Sequence, residues 1–352
     1  MHIRVLLISI FLATVFSGVT FTYAVLHFGS EQIISLPILS ANEPTGLSPE
    51  EVEEPLSLIF TGDVMLARDV EMRLLQEEKG YALSALRDVL IADAVLMNFE
   101  ASIPESHIQT QFMEMRFSVQ PDLVSELLLR SPVYLSLANN HSLDYGVMGY
   151  RNTIKVLEDV GFKTFGHATQ ISTSSLSIIE EKAQRVLVLH ANATYGGPDV
   201  SLIEDILDSA GPADLKVAYI HWGTEYEPLN DETQENLAHN LIDSGFDLVV
   251  GHHPHVVQNI ESYKDGLIFY SLGNFIFDQY WTSTVQEGLV LKLMVDALGW
   301  KVELIPVESA TVRVQPHEML GEARQAFLDD LASRSSANLL NDIAKGRILL
   351  QF

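Results

Sequence analysis

The sequence predicts an α/β fold built on a mainly parallel sheet. Three observations carry that prediction. Short apolar runs at 56–60, 94–99, 133–137, 215–220 and 247–250 alternate with stretches of helical periodicity. Most of these runs give way at once to polar residues able to carry chemistry: Thr61-Gly62-Asp63, Asn139-Asn140-His141, His221-Trp222-Gly223 and Gly251-His252-His253-Pro254-His255. The composition is 47% apolar, enough for a sizeable core.

Taken in order, the chain opens with Arg4 and then carries no charged residue over 5–26. A helix of that length reaches about 30 Å, the thickness of a bilayer's hydrocarbon layer. The prediction for 1–27 is one transmembrane helix, with Arg4 holding the N-terminus in the cytoplasm and the main domain outside the cell membrane. The competing reading is a cleaved signal peptide, whose apolar stretch would be shorter. Residues 28–55 read as an acidic linker, with Pro37, Pro44, Pro49 and Pro55 among glutamates and no basic residue. A single domain is expected over 56–352.

Within it, helices are predicted at 68–78, 82–90, 121–130, 147–160 and 232–244, the last two closed by Gly161 and Gly245. After 250 the pattern changes. Strand-like runs at 256–260, 266–271, 287–295 and 302–307 are joined by short turns, which predicts a second, mixed sheet. A helical tail is expected over about 321–344.

Composition excludes several functions. There are 47 acidic and 21 basic residues, a net charge of -26, with no basic run. Such a surface repels nucleic acid, so no nucleic-acid partner is expected. Cysteine is absent, which removes disulfides, thiolate nucleophiles and cysteine-bound zinc. No GxxxxGK[ST] loop, strand-borne GxGxxG or GxSxG elbow occurs.

The histidine-bearing segments remain. In an open α/β sheet, groups just past the carboxyl ends of strands meet in one crevice. Imidazole, carboxylate and amide oxygen together suit a divalent metal. Asp63 is a ligand candidate or a helix cap. Asn98 and Glu100 alternate on one strand face and either line the crevice or fill a strand end. In the 138–146 loop, Asn140 offers an amide oxygen and His141 a proton donor, while Asp144 suits the cap of the next helix. Asn139 stands beside them. His221 is a ligand or a hydrogen-bonded strand end, with Glu225 and Tyr226 as orienting partners. If Pro254 keeps the chain extended, His253 and His255 share a face and His252 points away and is replaceable. Asn274, in Ser271-Leu272-Gly273-Asn274, meets substrate, holds the histidine loop, or merely makes a tight turn.

These segments, together with Asn98-Phe99-Glu100, His221-Trp222-Gly223-Thr224-Glu225-Tyr226 and Ser271 to Asp278, resemble the CapA family of bacterial capsule synthesis proteins associated with poly-γ-glutamate. That family is similar in turn to the calcineurin-like metallophosphoesterases. The resemblance implies a four-layer α/β/β/α sandwich with one or two divalent ions, among which Mn, Zn, Fe and Mg are not distinguished. It implies Asp63, Glu100, Asn140, His221 and His253 as metal ligands. His141 becomes the general acid, and His255 a ligand or an oxyanion partner in catalysis. Asn98, Asn139, Glu225 and Asn274 become supporting or substrate-contacting residues. Met65 stands where the superfamily has a histidine, so a single ion or a weakened pair is expected. The implied partners are membrane lipid, membrane-bound capsule synthetase or export subunits, and polyglutamate or another envelope substrate. The chemistry is hydrolysis of a phosphoester or amide; the alternative is a non-catalytic subunit that accepts and passes on polymer.

Overall fold

A computed structural model describes residues 54–111, 113–296 and 299–351. The predicted membrane helix and nearly all of the linker lie outside the described residues. Among the described residues no helix is long and apolar enough to cross a membrane.

The elements in chain order are β1 (Leu56–Val64), α1 (Arg68–Leu74), β2 (Ala94–Phe99), β3 (Val133–Ser136), α2 (Gly146–Val160), β4 (Lys163–Phe165), β5 (Leu176–Glu181), β6 (Gln184–Asn192), α3 (Val200–Ala210), β7 (Leu215–His221), α4 (Glu232–Asp243) and β8 (Leu248–His252). Then follow β9 (Ile260–Tyr263), β10 (Gly266–Phe269), β11 (Asn274–Ile276), β12 (Glu287–Asp296), β13 (Gly299–Glu308), β14 (His317–Glu318), α5 (Gly321–Ser333), α6 (Leu340–Ala344) and β15 (Arg347–Gln351). They form two sheets. One runs β14-β13-β12-β1-β2-β3-β4, with β11 against β1 and β15 against β13; the other runs β5-β6-β7-β8-β10-β9. Strands β1 to β4 pair in parallel, as do β6, β7, β8 and β10.

Period-2 alternation explains how the sheets stack. Leu58, Phe60, Ala94 and Leu96 of the first sheet share one core with Val186, Val188, Val217, Tyr219 and Val250 of the second. The opposite face of the first sheet, with Ile59, Val95 and Met97, packs on Val70, Leu74 and Leu157 of α1 and α2. The opposite face of the second, with Leu187, Ala218 and Val249, packs on Ile203 and Leu207 of α3 and Leu237 and Leu241 of α4. The result is an α/β sandwich with helices outside both sheets.

Several expectations need correction. The helix from 68 stops at Leu74, and the helices expected at 82–90 and 121–130 are short 3-10 turns, Ser84–Leu86 and Pro121–Leu127. Both stretches place leucines against the core without completing an α-helical hydrogen-bond ladder, and apolar periodicity alone does not separate the two cases. The late strands do not form a sheet of their own. The β12–β13 hairpin returns to β1, antiparallel, while β9 and β10 extend the sheet of β8. Residue 257 makes only an isolated bridge to Leu272, and the strand begins at Ile260. The sequence reading also lacked α3 and the edge strands β4, β5 and β15.

Candidate metal centre

The sandwich brings the carboxyl ends of β1, β2 and β3 from one sheet beside those of β7 and β8 from the other. Alternation that points Leu96 inward also points Asn98 inward, and Tyr219 is followed on the same face by His221. Asn98 Nδ2 donates to Asp63 Oδ1 at 2.8 Å and contacts His221 Nδ1 at 3.1 Å, so one amide ties the two sheets together. Asn139 Nδ2 donates to Asn98 Oδ1 at 3.1 Å and to the Phe99 carbonyl at 2.8 Å, and this locks Asn98 in that orientation. His221 Nε2 lies 2.8 Å from Asn140 Oδ1.

Glu100 stands at the middle. It is fully buried, and neither carboxylate oxygen has a hydrogen-bond partner. His141 Nε2, His221 Nε2 and His255 Nε2 each lie 3.8 Å from its Oε1. Ligand-type atoms lie within 4.8 Å of one another in three overlapping sets: Glu100, His221 and His253; Asp63, Glu100 and His255; and Glu225, His253 and His255. Glu100 belongs to two of these sets, and so do His253 and His255.

The charges are set by burial and by neighbours. Burial pushes the Glu100 carboxyl well above its usual range, and nearby Asp63 adds to that despite the opposing pull of His255. Burial alone would also raise Asp63, but His252 and His255 outweigh it and hold Asp63 well below the carboxylate range. Burial, reinforced by neighbouring histidines, depresses His221 well below normal and His253 to about 4, so both imidazoles are neutral with a lone pair to offer. Burial would depress His255 too, yet the Glu100 and Asp63 carboxylates lift it to about 9. A buried carboxylate without donors is costly. Glu100 has two ways out, a proton or a cation. The anionic Asp63 and the two neutral imidazoles beside it fit a divalent ion.

The histidine loop departs from expectation. His253 has φ 96° and His255 φ 57°, both left-handed, so Pro254 does not keep the chain extended. The strand continues to His252 and breaks there. His252 therefore follows Val250 inward and does not point away. It is fully buried, with Nδ1 3.2 Å from Asp63 Oδ1, close but not aligned as a hydrogen bond. His255 reaches the same carboxylate from the other side, Nδ1 to Oδ2 at 3.3 Å, and its Nδ1 also donates to Asn274 Oδ1 at 3.0 Å. Asn274 is thus a holder of the histidine loop. Glu225 groups with His253 and His255, not with His221 as expected. Left-handed backbone at non-glycine residues costs about 1–3 kcal/mol each and clusters where function demands it.

His141 forms a dyad. Its Nδ1 lies 2.9 Å from Asp144 Oδ2, and its ring stacks on Phe117 with centroids 4.0 Å apart. Asp144 also accepts the Phe117 amide at 2.7 Å. It does not cap α2, whose first residue is preceded by Tyr145 without a side-chain cap. A carboxylate that fixes one imidazole nitrogen leaves the other oriented for proton transfer.

The sequence reading assigned no role to Arg68 at the site. Arg68, itself at φ 53°, is buried against Asp278, with Nε donating to Asp278 Oδ2 at 3.1 Å, and its guanidinium covers Phe117 at 4.6 Å. Phe277 lies 5.6 Å from that guanidinium and packs on the His255 ring. The pair braces both His141 and His255 from behind. The room at Gly62 is taken by the backbone ahead of β11: a Cβ there would meet the Gly273 carbonyl at 2.1 Å. Gly251 serves the same end, since a Cβ would meet the Tyr270 carbonyl at 2.0 Å where Trp222 Nε1 bonds. Met65 accepts the Ala67 amide on its sulfur at 2.9 Å.

Fold and site together define an α/β sandwich protein whose strand ends gather histidine and carboxylate groups into clusters able to hold a metal ion. Residues 57–279 match the family described as "Bacterial capsule synthesis protein PGA_cap", and the chain belongs to that family. It is 32% identical over 260 residues to the "Capsule biosynthesis protein CapA" of Bacillus anthracis, a match covering 67% of this chain and 63% of that one. It is also 32% identical over 260 residues to the "PGA biosynthesis protein CapA" of Bacillus subtilis strain 168, covering 68% of this chain and 67% of that one. A "Probable polyglutamine synthesis accessory protein" of Mycobacterium tuberculosis is 28% identical over 225 residues, covering 56% and 59%.

Proposed function

We propose that this is a membrane-anchored, extracytoplasmic protein of capsule assembly whose strand-end cluster holds one or two divalent ions and hydrolyses a bond in the γ-glutamyl polymer or its carrier. Family membership and the names of the relatives support the place in capsule synthesis. The uncharged run at 5–26 supports the anchor. The observation that carries the metal centre is Glu100, buried with both oxygens unpartnered inside overlapping ligand sets. The order helix, sheet, sheet, helix agrees with the metallophosphoesterase resemblance.

Asp63, Glu100, Asn140, His221, His253 and His255 would hold the cation, with His252 and Glu225 at the margin. When bound, it supplies Lewis acidity to an acyl or phosphoryl centre and to water. His141, oriented by Asp144, holds the proton that a leaving oxygen or nitrogen takes. Asn98, Asn139 and Asn274 keep these groups in register. Energetics favour cleavage over synthesis: forming an amide from free acids in water is uphill, and the outer face of a membrane offers no ATP. The protein would trim, release or pass on chains that a membrane partner makes.

Metal analysis of the purified protein, followed by turnover on γ-glutamyl oligomers and phosphoesters, tests this reading. His141→Ala is expected to lower turnover about 10²–10⁴-fold with metal content unchanged, and His253→Ala to lower both. Full turnover in both variants would remove the catalytic reading; a metal-free protein whose variants still support capsule formation would favour a non-catalytic polymer-handling subunit.

A further inference from the structure

A cavity of about 420 Å³ borders the histidine loop and contains none of the ligand-set residues. Val256 and Val257, the two residues after His255, line it together with Tyr226 and Leu229. Tyr226 links the cavity to the loop in two ways. Its amide donates to the Pro254 carbonyl at 2.8 Å, and its ring centroid lies 6.2 Å from that of His255. Tyr226 also holds a left-handed φ of 68°, a strain of the kind that collects at functional positions.

The charged part of the lining is Glu287, Asp330 and Arg334, and it leaves one negative charge over. Arg334 is spent on the fold: Nε donates to Asp330 Oδ2 at 3.1 Å, and Nη1 donates to the Pro228 and Val257 carbonyls at 2.9 and 2.7 Å. That ion pair cancels Asp330. Glu287, at the start of β12, is half-buried, and its carboxylate makes no hydrogen bond or ion pair among the described residues. Glu308 lies opposite it in register, but that carboxylate is occupied by the Ala310 and Thr311 amides. Burial lifts the Glu287 carboxyl above its ordinary range; Asp330 and Glu308 add to the lift, and Arg334 opposes it. A half-buried carboxylate without a partner is stabilised by a cation. A bare metal ion does not suit, because one free carboxylate among valine, leucine and tyrosine is too few oxygen ligands. An ammonium on a methylene stem suits both halves of the lining, since the charge meets Glu287 and the stem covers the apolar wall.

We propose that this cavity binds an aliphatic primary amine, whose ammonium pairs with Glu287 and whose methylene stem lies on Leu229, Val256 and Val257. A free alkylamine and the side chain of a lysyl residue present this same group. The site is distinct from the metal centre, with Tyr226 beside both, and it does not depend on a metal ion being bound.

The test is calorimetric titration of the full-length protein in detergent, with chelator present so that no metal ion takes the amine. The probes are n-pentylamine, n-butylamine, Nα-acetyl-lysine methylamide and, as the uncharged control, 1-pentanol. Pentylamine is expected to bind at least about tenfold more tightly than 1-pentanol, and about fourfold more tightly than butylamine for its one extra methylene. Glu287→Gln should weaken pentylamine at least about tenfold and leave 1-pentanol unchanged. Thr284→Lys, at an exposed lining residue, supplies a competing ammonium and should abolish amine binding, so it reads the site even where Glu287→Gln fails to fold. Tighter binding of the lysine derivative than of pentylamine supports the site and identifies a lysyl side chain as the ligand; weaker binding supports it with a free amine. Equal affinity for pentylamine and 1-pentanol overturns the proposal, as does a wild-type protein that binds neither pentylamine nor the lysine derivative. Amine binding that survives either substitution undiminished overturns it as well.

Discussion

Replacing Glu100 by glutamine gives opposite effects on the free and the loaded protein. The side chain is fully buried, with three imidazole nitrogens 3.8 Å from Oε1 and no donor on either oxygen. Burial disfavours its charged form, so in the metal-free protein the residue is a neutral acid or a strained anion. Glutamine keeps the shape, removes the charge and adds two N–H donors. Relief of one unsatisfied buried group is worth about 1–3 kcal/mol, and for a domain of this size about 2 °C in Tm accompanies each kcal/mol. The chelated variant should therefore melt about 2–6 °C above the chelated wild type. Metal affinity should fall. Loss of a supporting partner already costs 10–100-fold, so loss of an anionic ligand shared by two ligand sets should cost about 100-fold or more. The assays are thermal melts in chelator and in excess Mn²⁺, and calorimetric titration with Mn²⁺. The stabilising effect should reverse when the ion is present. A variant that melts lower in chelator and binds Mn²⁺ with undiminished affinity would refute the argument, because Glu100 would then be a structural carboxylate.

Two further predictions concern pH. His255, lifted to about 9 in the metal-free protein, must shed its proton before its lone pair is available. Mn²⁺ affinity is expected to climb from pH 6.5 to about 9 by up to about tenfold per unit, and a flat profile over that window would count against His255 as a ligand. In the metal-free protein the same raised pKa contributes stability that is complete below the unfolded value of about 6.5 and is lost on the way to about 9. His190 behaves in the opposite way. It is fully buried between the sheets, with Nε2 3.0 Å from Ser177 Oγ and its ring on Phe165, and burial depresses it to about 3. The unfolded chain takes a proton below about 6.5 while the folded one refuses it until about 3, so stability drains by about 1.4 kcal/mol per unit across that window. Urea unfolding at pH 7 and pH 5 should show His190→Phe losing about 2 kcal/mol less than wild type over that step; equal losses would contradict the assignment.

The parallel inner strands and the strand-end crevice were legible because both follow from local pattern. Apolar runs ending in Gly-Asp, Asn-His or Gly-His mark strand ends, and strand ends meet. Asn98 and Glu100 could be placed on one face from their spacing alone. What escaped depended on long-range pairing. Nothing in residues 287–307 says that the hairpin closes on β1 and not on its neighbours in sequence. His252 was misjudged because the direction of a side chain near a strand end depends on where the strand breaks, and the chain breaks directly after His252 where it was expected to stay extended through Pro254. The Arg68–Asp278 brace joins residues 210 positions apart. Only the quoted motif around Asp278 hinted at it. The Asp144–His141 bond could have been suspected from their spacing of three, had capping not offered a simpler use for the aspartate.

The most direct measurement is anomalous X-ray scattering from crystals of the protein grown with Mn²⁺. The account predicts a peak bounded by Glu100, His221 and His253, with a second, weaker one beside Asp63 and His255 if two ions bind. Data that show Glu100 hydrogen-bonded to ordered water, and no anomalous peak within reach of these residues, would contradict it.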